Sequence, residues 1–274
     1  MSAGPSDHQL DKGRRPKPPP VDYLAVAPFT PGTVAFHVTG GLLEGGLVVA
    51  SVTWMWHQRD VAPGALGLAL ALGVGLFLAD FVSGLLHWAF DTWFDETHPI
   101  LQRMVIMVRE HHIYPQRIFK FPFYHDAGVL SWIVFVLTAP FVVPATAGWL
   151  GAGPWLWAGL AGTVLFSFLV VFMLEFHKMG HRSRAGSGIR LLQRLGLLLA
   201  HKHHVQHHVG NHDVNYCLIN GIADKTLGRL GVFRWLEAAI HRLTGAVPQQ
   251  NDHEFLERYG IEARALEAQK AGEP

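Results

Sequence analysis

The chain has 274 residues, half of them hydrophobic, with a formal net charge of +1 at neutral pH and one cysteine. A charge this close to zero, with no basic patch interleaved with aromatics, excludes a nucleic-acid partner. The lone Cys217 excludes an intrachain disulfide framework and any four-cysteine iron–sulfur or zinc cluster.

Residues 1–32 are polar, basic and proline-rich (GRRPKPPP) and are expected to form a disordered tail. A polar opening of this kind does not fit a cleavable signal peptide. Four nearly charge-free stretches follow, roughly Val34 to Trp56, Ala62 to Ala79, Gly128 to Leu150 and Pro154 to Leu174. Each contains or approaches the ~20 apolar residues that a helix rising ~1.5 Å per residue needs to cross ~30 Å of hydrocarbon. The expected fold is all-α: a polytopic membrane protein with four transmembrane helices over residues 33–250 and a charged C-terminal tail at 251–274. With an even number of spans, 21 of the Lys and Arg residues fall on one side and only Arg59 on the other. The positive-inside rule then places both termini, the connection between spans two and three, and everything after span four in the cytosol.

Histidines gather on that side. His87 follows the second apolar run in DFVSGLLHWAFDTW, and His111 and His112 form the doublet of REHH. His177 and His181 come just after the fourth run, and HKHHVQHH brings His203, His204, His207 and His208. Pairs four apart share a helix face, so 177/181, 203/207 and 204/208 can each close on one ion. Asp80, His87 and Asp91 step along one face of the second helix, and their carboxylates are expected to accept the second N–H of a ligating imidazole. Isolated histidines of this kind are more often ordinary polar residues. Nine in doublets and helical pairs, with HHxxHH crowding rings together without compensating acid nearby, point to metal, because a ligating imidazole is neutral and the ion supplies the charge.

Nine ligands exceed one zinc site, and the HExxH protease signature is absent. They match two ions of four or five nitrogens each, although imidazole alone does not choose among zinc, copper, iron and nickel. Bis-histidine haem leaves the doublets unexplained. Transition-metal transport is the non-enzymatic rival, with Glu44 in the first span as its intramembrane carboxylate; a structural hydrogen bond for Glu44 is an equal alternative. Cys217 is expected to pack in an apolar turn. Gly188 to Ala200 places Arg190 and Arg194 among leucines, as in an interfacial amphipathic helix.

From about Asp80 to Phe255, the stretches DFVSGLLHWAFDTW, REHHIYPQRI, HKMGH, KHHVQHH and NYCLINGIADKTLGRLGVFRWLE resemble the Kua/CarF lipid desaturase family. The resemblance implies an O₂-dependent desaturase with two iron ions and a cytosolic site. Its substrate would be a phospholipid, with plasmanylethanolamine converted to plasmenylethanolamine as the leading expectation. Acyl-lipid desaturation and hydroxylation are the alternatives. It implies His87, His111, His112, His177, His181, His203, His204, His207 and His208 as ligands, with Asp80, Asp91, His212 and Asn215 supporting them. No haem-binding HPGG segment or GxGxxG flavin fingerprint is present, so electrons are expected from a separate cytochrome b5-type or ferredoxin-type donor and its reductase. YPQRIFKFPFYHDAGVL departs from the family: Tyr114, Phe121 and Pro122 stand where polar or acidic residues are usual, and His125 stands where an acid is usual.

Overall fold

The computed structural model describes residues 29–95, 98, 100–209, 212–249 and 252, so most of both expected tails lies outside the described residues. All regular elements among them are helical. Four helices are long and apolar enough to cross a membrane: α1 Pro31–His57, α2 Ala65–Thr92, α4 Tyr124–Thr146 and α5 Pro154–Val171. Between and after them come α3 Gln102–Ile113, α6 Met173–Gly180, α7 Ser187–Arg194, α8 His201–His208 and α9 Val232–Thr244.

The helix pairs are held at close range by glycine. A Cβ on Gly75 of α2 would collide with the main chain of Gly162 on α5, and one on Gly162 would come within 2.7 Å of the Ala71 carbonyl. Gly40 of α1 would likewise meet the Gly128 carbonyl of α4 at 2.8 Å. Lipid tails are as apolar as leucine, so close backbone approach supplies dispersion contact that burial from water does not.

Helix α2 has 28 residues, about 42 Å at 1.5 Å per residue, and therefore outruns the ~30 Å of hydrocarbon. That length lets its last turns, carrying His87 and Asp91, reach past the hydrocarbon layer. The fourth span breaks at Phe172, whose ψ of 9° ends α5 and lets α6 restart at Met173 in a new direction. The break turns His177 and His181 inward.

Glu44 is buried and its Oε2 accepts from the Thr138 hydroxyl at 3.4 Å, the structural partner that the sequence left open. Helix α7 has no buried residue and exposes Leu191 and Leu192, with Leu195 exposed at its C-terminal cap.

Candidate metal centre

Asp80 organises the turn that follows α8. Its Oδ1 accepts from the main-chain N–H groups of Ile219, Asn220 and Gly221 at 2.9–3.2 Å, and Oδ2 from that of Ala223 at 2.9 Å. Ser83 Oγ takes the Leu218 N–H at 3.0 Å. Gly84 leaves room for Cys217, whose Sγ would lie 2.6 Å from a Cβ there. Asp80 was expected to orient an imidazole, and it instead caps main chain: four N–H donors satisfy the buried carboxylate more completely than one ring could. Cys217 is buried in this turn, as expected.

The docked turn presents carbonyls to the histidines. Tyr216 O accepts from His87 Nδ1 at 2.9 Å, and Val214 O from His207 Nδ1 at 2.8 Å. His111 Nδ1 lies 3.3 Å from Met107 O, and His112 Nδ1 lies 2.9 Å from Asp252 Oδ2. A carbonyl or carboxylate oxygen only accepts, so each Nδ1 carries the proton and each Nε2 presents a bare lone pair.

With the ring nitrogens of four further histidines, these lone pairs converge on two adjoining groups. One holds His111, His177, His181, His204 and His208; the other holds His87, Asp91, His112 and His207. In the first, His204 Nε2 lies 2.8 Å from those of His177 and His181 and 3.0 Å from that of His208, and 3.1 Å separates His177 from His181. One ring N–H can serve only one of three such neighbours. In the second, His112 and His207 face each other Nε2 to Nε2 at 3.0 Å, although both protons are already on Nδ1. Asp91 lies 3.5–3.6 Å from the Nε2 atoms of His87, His112 and His207.

The donor set therefore fits metal ions. Ligands ~2.1 Å from an ion and ~90–110° apart are separated by about 3.0–3.4 Å, close to the spacings observed. His87 Nε2, His111 Nε2 and both Asp91 oxygens are buried without a hydrogen-bond partner, which is costly unless an ion takes them. Burial first, and neighbouring imidazoles second, push His111, His112, His177, His204 and His207 well below the usual histidine range. The same causes bring His181 to about 3 and His208 to about 2. The rings are thus neutral at pH 7, the form that binds metal.

Each doublet is divided between the groups. His111 and His208 enter the first, His112 and His207 the second, because successive residues on a helix point ~100° apart. The groups share a boundary, with the His87 and His177 rings 5.6 Å apart.

His203 does not join them. Its Nε2 pairs with Asp224 Oδ2 at 2.9 Å on the opposite side of α8, which the ~100° step from His204 dictates. Of the residues expected to support ligands, Asp91 sits among them. His212 stacks on His112 with ring centroids 4.0 Å apart, and its Nδ1 lies 2.8 Å from Asp252 Oδ2. Asn215 instead ties down α8, donating to His203 O at 3.2 Å and Gln206 Oε1 at 3.0 Å. His125 is buried against Asp126 at 2.9 Å and belongs to neither group. Asp252, which the sequence assigned to the solvated tail, is buried beside His112 and accepts from Arg109 Nε at 3.0 Å. Burial alone would raise its carboxyl, but His212 and Arg109 hold it below the usual aspartate range. No spacing marks it, since 140 residues separate it from His112.

Four helices able to span a membrane, beneath a buried cap of imidazoles that could hold metal, define a histidine-rich membrane protein. The lipid desaturase domain matches residues 76–251, and the chain belongs to that family. It is 30% identical to plasmanylethanolamine desaturase of Myxococcus xanthus over 82% of this chain and 78% of that one. A probable fatty acid desaturase of Acanthamoeba polyphaga mimivirus is 28% identical over 71% of this chain and 94% of its own length. Chloroplastic fatty acid desaturase 4 of Arabidopsis thaliana is 29% identical over 66% of this chain, which spans 54% of that protein. No solved structure matches.

Proposed function

We propose that this protein is a di-iron, O₂-dependent desaturase of a membrane phospholipid, most closely a plasmanylethanolamine desaturase that forms the vinyl ether of plasmenylethanolamine. The observation that carries the proposal is the pair of adjoining groups of converging ring nitrogens, with His112 and His207 facing each other Nε2 to Nε2 while both Nδ1 protons are bound elsewhere. Three imidazoles and one carboxylate, next to five imidazoles, form a thiolate-free, oxidation-resistant donor set compatible with iron. When bound, the two ions supply the O₂-dependent removal of hydrogen from an unactivated C–H bond.

The chain's own residues do the rest. His87, Asp91, His112 and His207 hold one ion, and His111, His177, His181, His204 and His208 hold the other. Tyr216 O, Val214 O and Asp252 fix the ring tautomers and orientations through Nδ1. Burial keeps the rings neutral and excludes bulk water. The cap sits directly at the ends of α2 and α5, which favours carbons close to a head group. The site faces the cytosol, where a cytochrome b5-type or ferredoxin-type donor and its reductase deliver electrons to the basic face.

An acyl-lipid desaturase is the second reading, favoured by the similarity to the Arabidopsis fatty acid desaturase. Expression in a host that lacks vinyl ethers, followed by lipid mass spectrometry, separates the two. Acid-labile plasmalogens are expected with the intact chain and absent with His204→Ala. New acyl double bonds or hydroxylated chains, without vinyl ethers, would replace the plasmalogen reading.

A further inference from the structure

We propose that a groove between α2, α4 and α5 holds the hydrocarbon chain of the reacting lipid, with its head-group end toward the metal groups and its methyl end toward the opposite face. The inference rests on the desaturase reading above and adds the path of the substrate to it.

The groove encloses about 520 Å³. It exists because its floor is made of small residues: Ala71 and Gly75 on α2 face Gly159 and Gly162 on α5, where the two helices touch backbone to backbone. Its two lining hydroxyls are turned inward. Thr163 Oγ1 donates to Gly159 O at 2.9 Å, and Thr138 Oγ1 shares its one proton between Val134 O at 2.9 Å and Glu44 Oε2 at 3.4 Å, so neither has a free proton for an occupant. The remaining walls are apolar, with Leu70, Val74 and Leu78 open to the surroundings. A lining this apolar suits a hydrocarbon occupant, and the surroundings at this depth are lipid.

The direction of the groove follows from the helices that line it. On α2 it runs from Gly67 to Val82, about 22 Å at 1.5 Å per residue, which passes the middle of a ~30 Å hydrocarbon layer. Val82 precedes the ligand-group residue His87 by about 8 Å along the same helix. On α5 it runs from Trp155 near the far end to Phe166, six residues before the break that leads into α6 and His177. One end thus lies just beneath the metal groups and the other near the far surface. A phospholipid in the metal-side leaflet has the same polarity: its head group lies at that boundary and its chain runs away from it. Held in the groove, it places head-group-proximal carbons nearest the metals and lets an extended chain continue past the bilayer centre.

Two measurements on the full-length protein in phosphatidylcholine nanodiscs test this. An ether phosphoethanolamine lipid with a diazirine at the methyl end of its chain should label peptides from the first halves of α2 and α5. The same lipid with the diazirine near the head group should move the label toward Leu78, Val82 and Phe166. Even labelling of all lipid-facing helices, α1 included, would overturn the proposal and leave only boundary lipid there. Leu70→Trp and Gly159→Leu each plug the far half and are remote from the ligands. Each methylene kept from contact costs about fourfold, so the ratio of long-chain to short-chain conversion should fall at least tenfold at unchanged iron content. An unchanged ratio in both variants would also overturn it. The labelling needs no turnover, so a wild-type protein that labels as expected but makes no unsaturated product would sink the desaturase reading and leave the chain-binding groove standing.

Discussion

Replacing His204 by alanine is expected to empty the five-nitrogen group and lower lipid conversion at least a hundredfold, whereas His203→Ala is expected to leave metal content unchanged. The contrast follows from the ~100° between successive side chains of α8. His204 Nε2 lies within 3.0 Å of three other ring nitrogens, while His203 reaches away to Asp224. Metal sites of four ligands bind with roughly 10–16 kcal/mol, or about 3 kcal/mol per ligand, so one deletion weakens binding on the order of a hundredfold. His203→Ala removes a partner of the buried Asp224, and its effect should appear as a lower melting temperature. Metal analysis beside a thermal melt reads both outcomes. Equal metal loss in the two variants would contradict the division of the HHxxHH run.

Asp252→Asn is expected to weaken metal binding by the His87, Asp91, His112 and His207 group roughly 10–100-fold, the usual cost of a lost carboxylate–histidine–metal contact. The carboxylate both fixes the His112 proton on Nδ1 and raises the basicity of the Nε2 that faces the ion. An amide of the same shape keeps the space filled but can turn its NH₂ toward the ring, which would reverse the tautomer. Because Asp252 touches no residue of the five-nitrogen group, except through the shared backbone of the 111–112 doublet, only one of two metal equivalents should be affected. A metal titration with two resolved phases, one shifted and one unchanged, is the expected result. Uniform weakening of both phases would indicate a general loss of folding instead.

Most of the architecture was legible because a bilayer imposes length and apolarity that are written plainly in sequence. The four spans were found within a few residues, and the second helix was read on past its apolar run through His87 and Asp91, as it is. What was not read is how the helix tolerates a buried Asp80, which finds four main-chain donors in the turn after α8. That turn is 140 residues away, so no local pattern could reveal it. Helical spacing correctly grouped His177 with His181 and His204 with His208, since i and i+4 share a face. It could not divide the doublets between two groups or exclude His203, because that depends on where α8 is rotated relative to α2 and α3. Asp91 was read as a support for a ligand and stands within the group formed by His87, His112 and His207. Asp252 escaped notice for a different reason: it stands in a charged stretch whose composition resembles a solvated tail.

The most direct test of the central claim is the metal content of the purified, detergent-solubilised protein, measured per chain by mass spectrometry after expression in iron-replete medium. The account predicts two iron ions per chain, falling toward one in His204→Ala. Iron-free protein, or protein with one ion whose number is indifferent to His204, would contradict it.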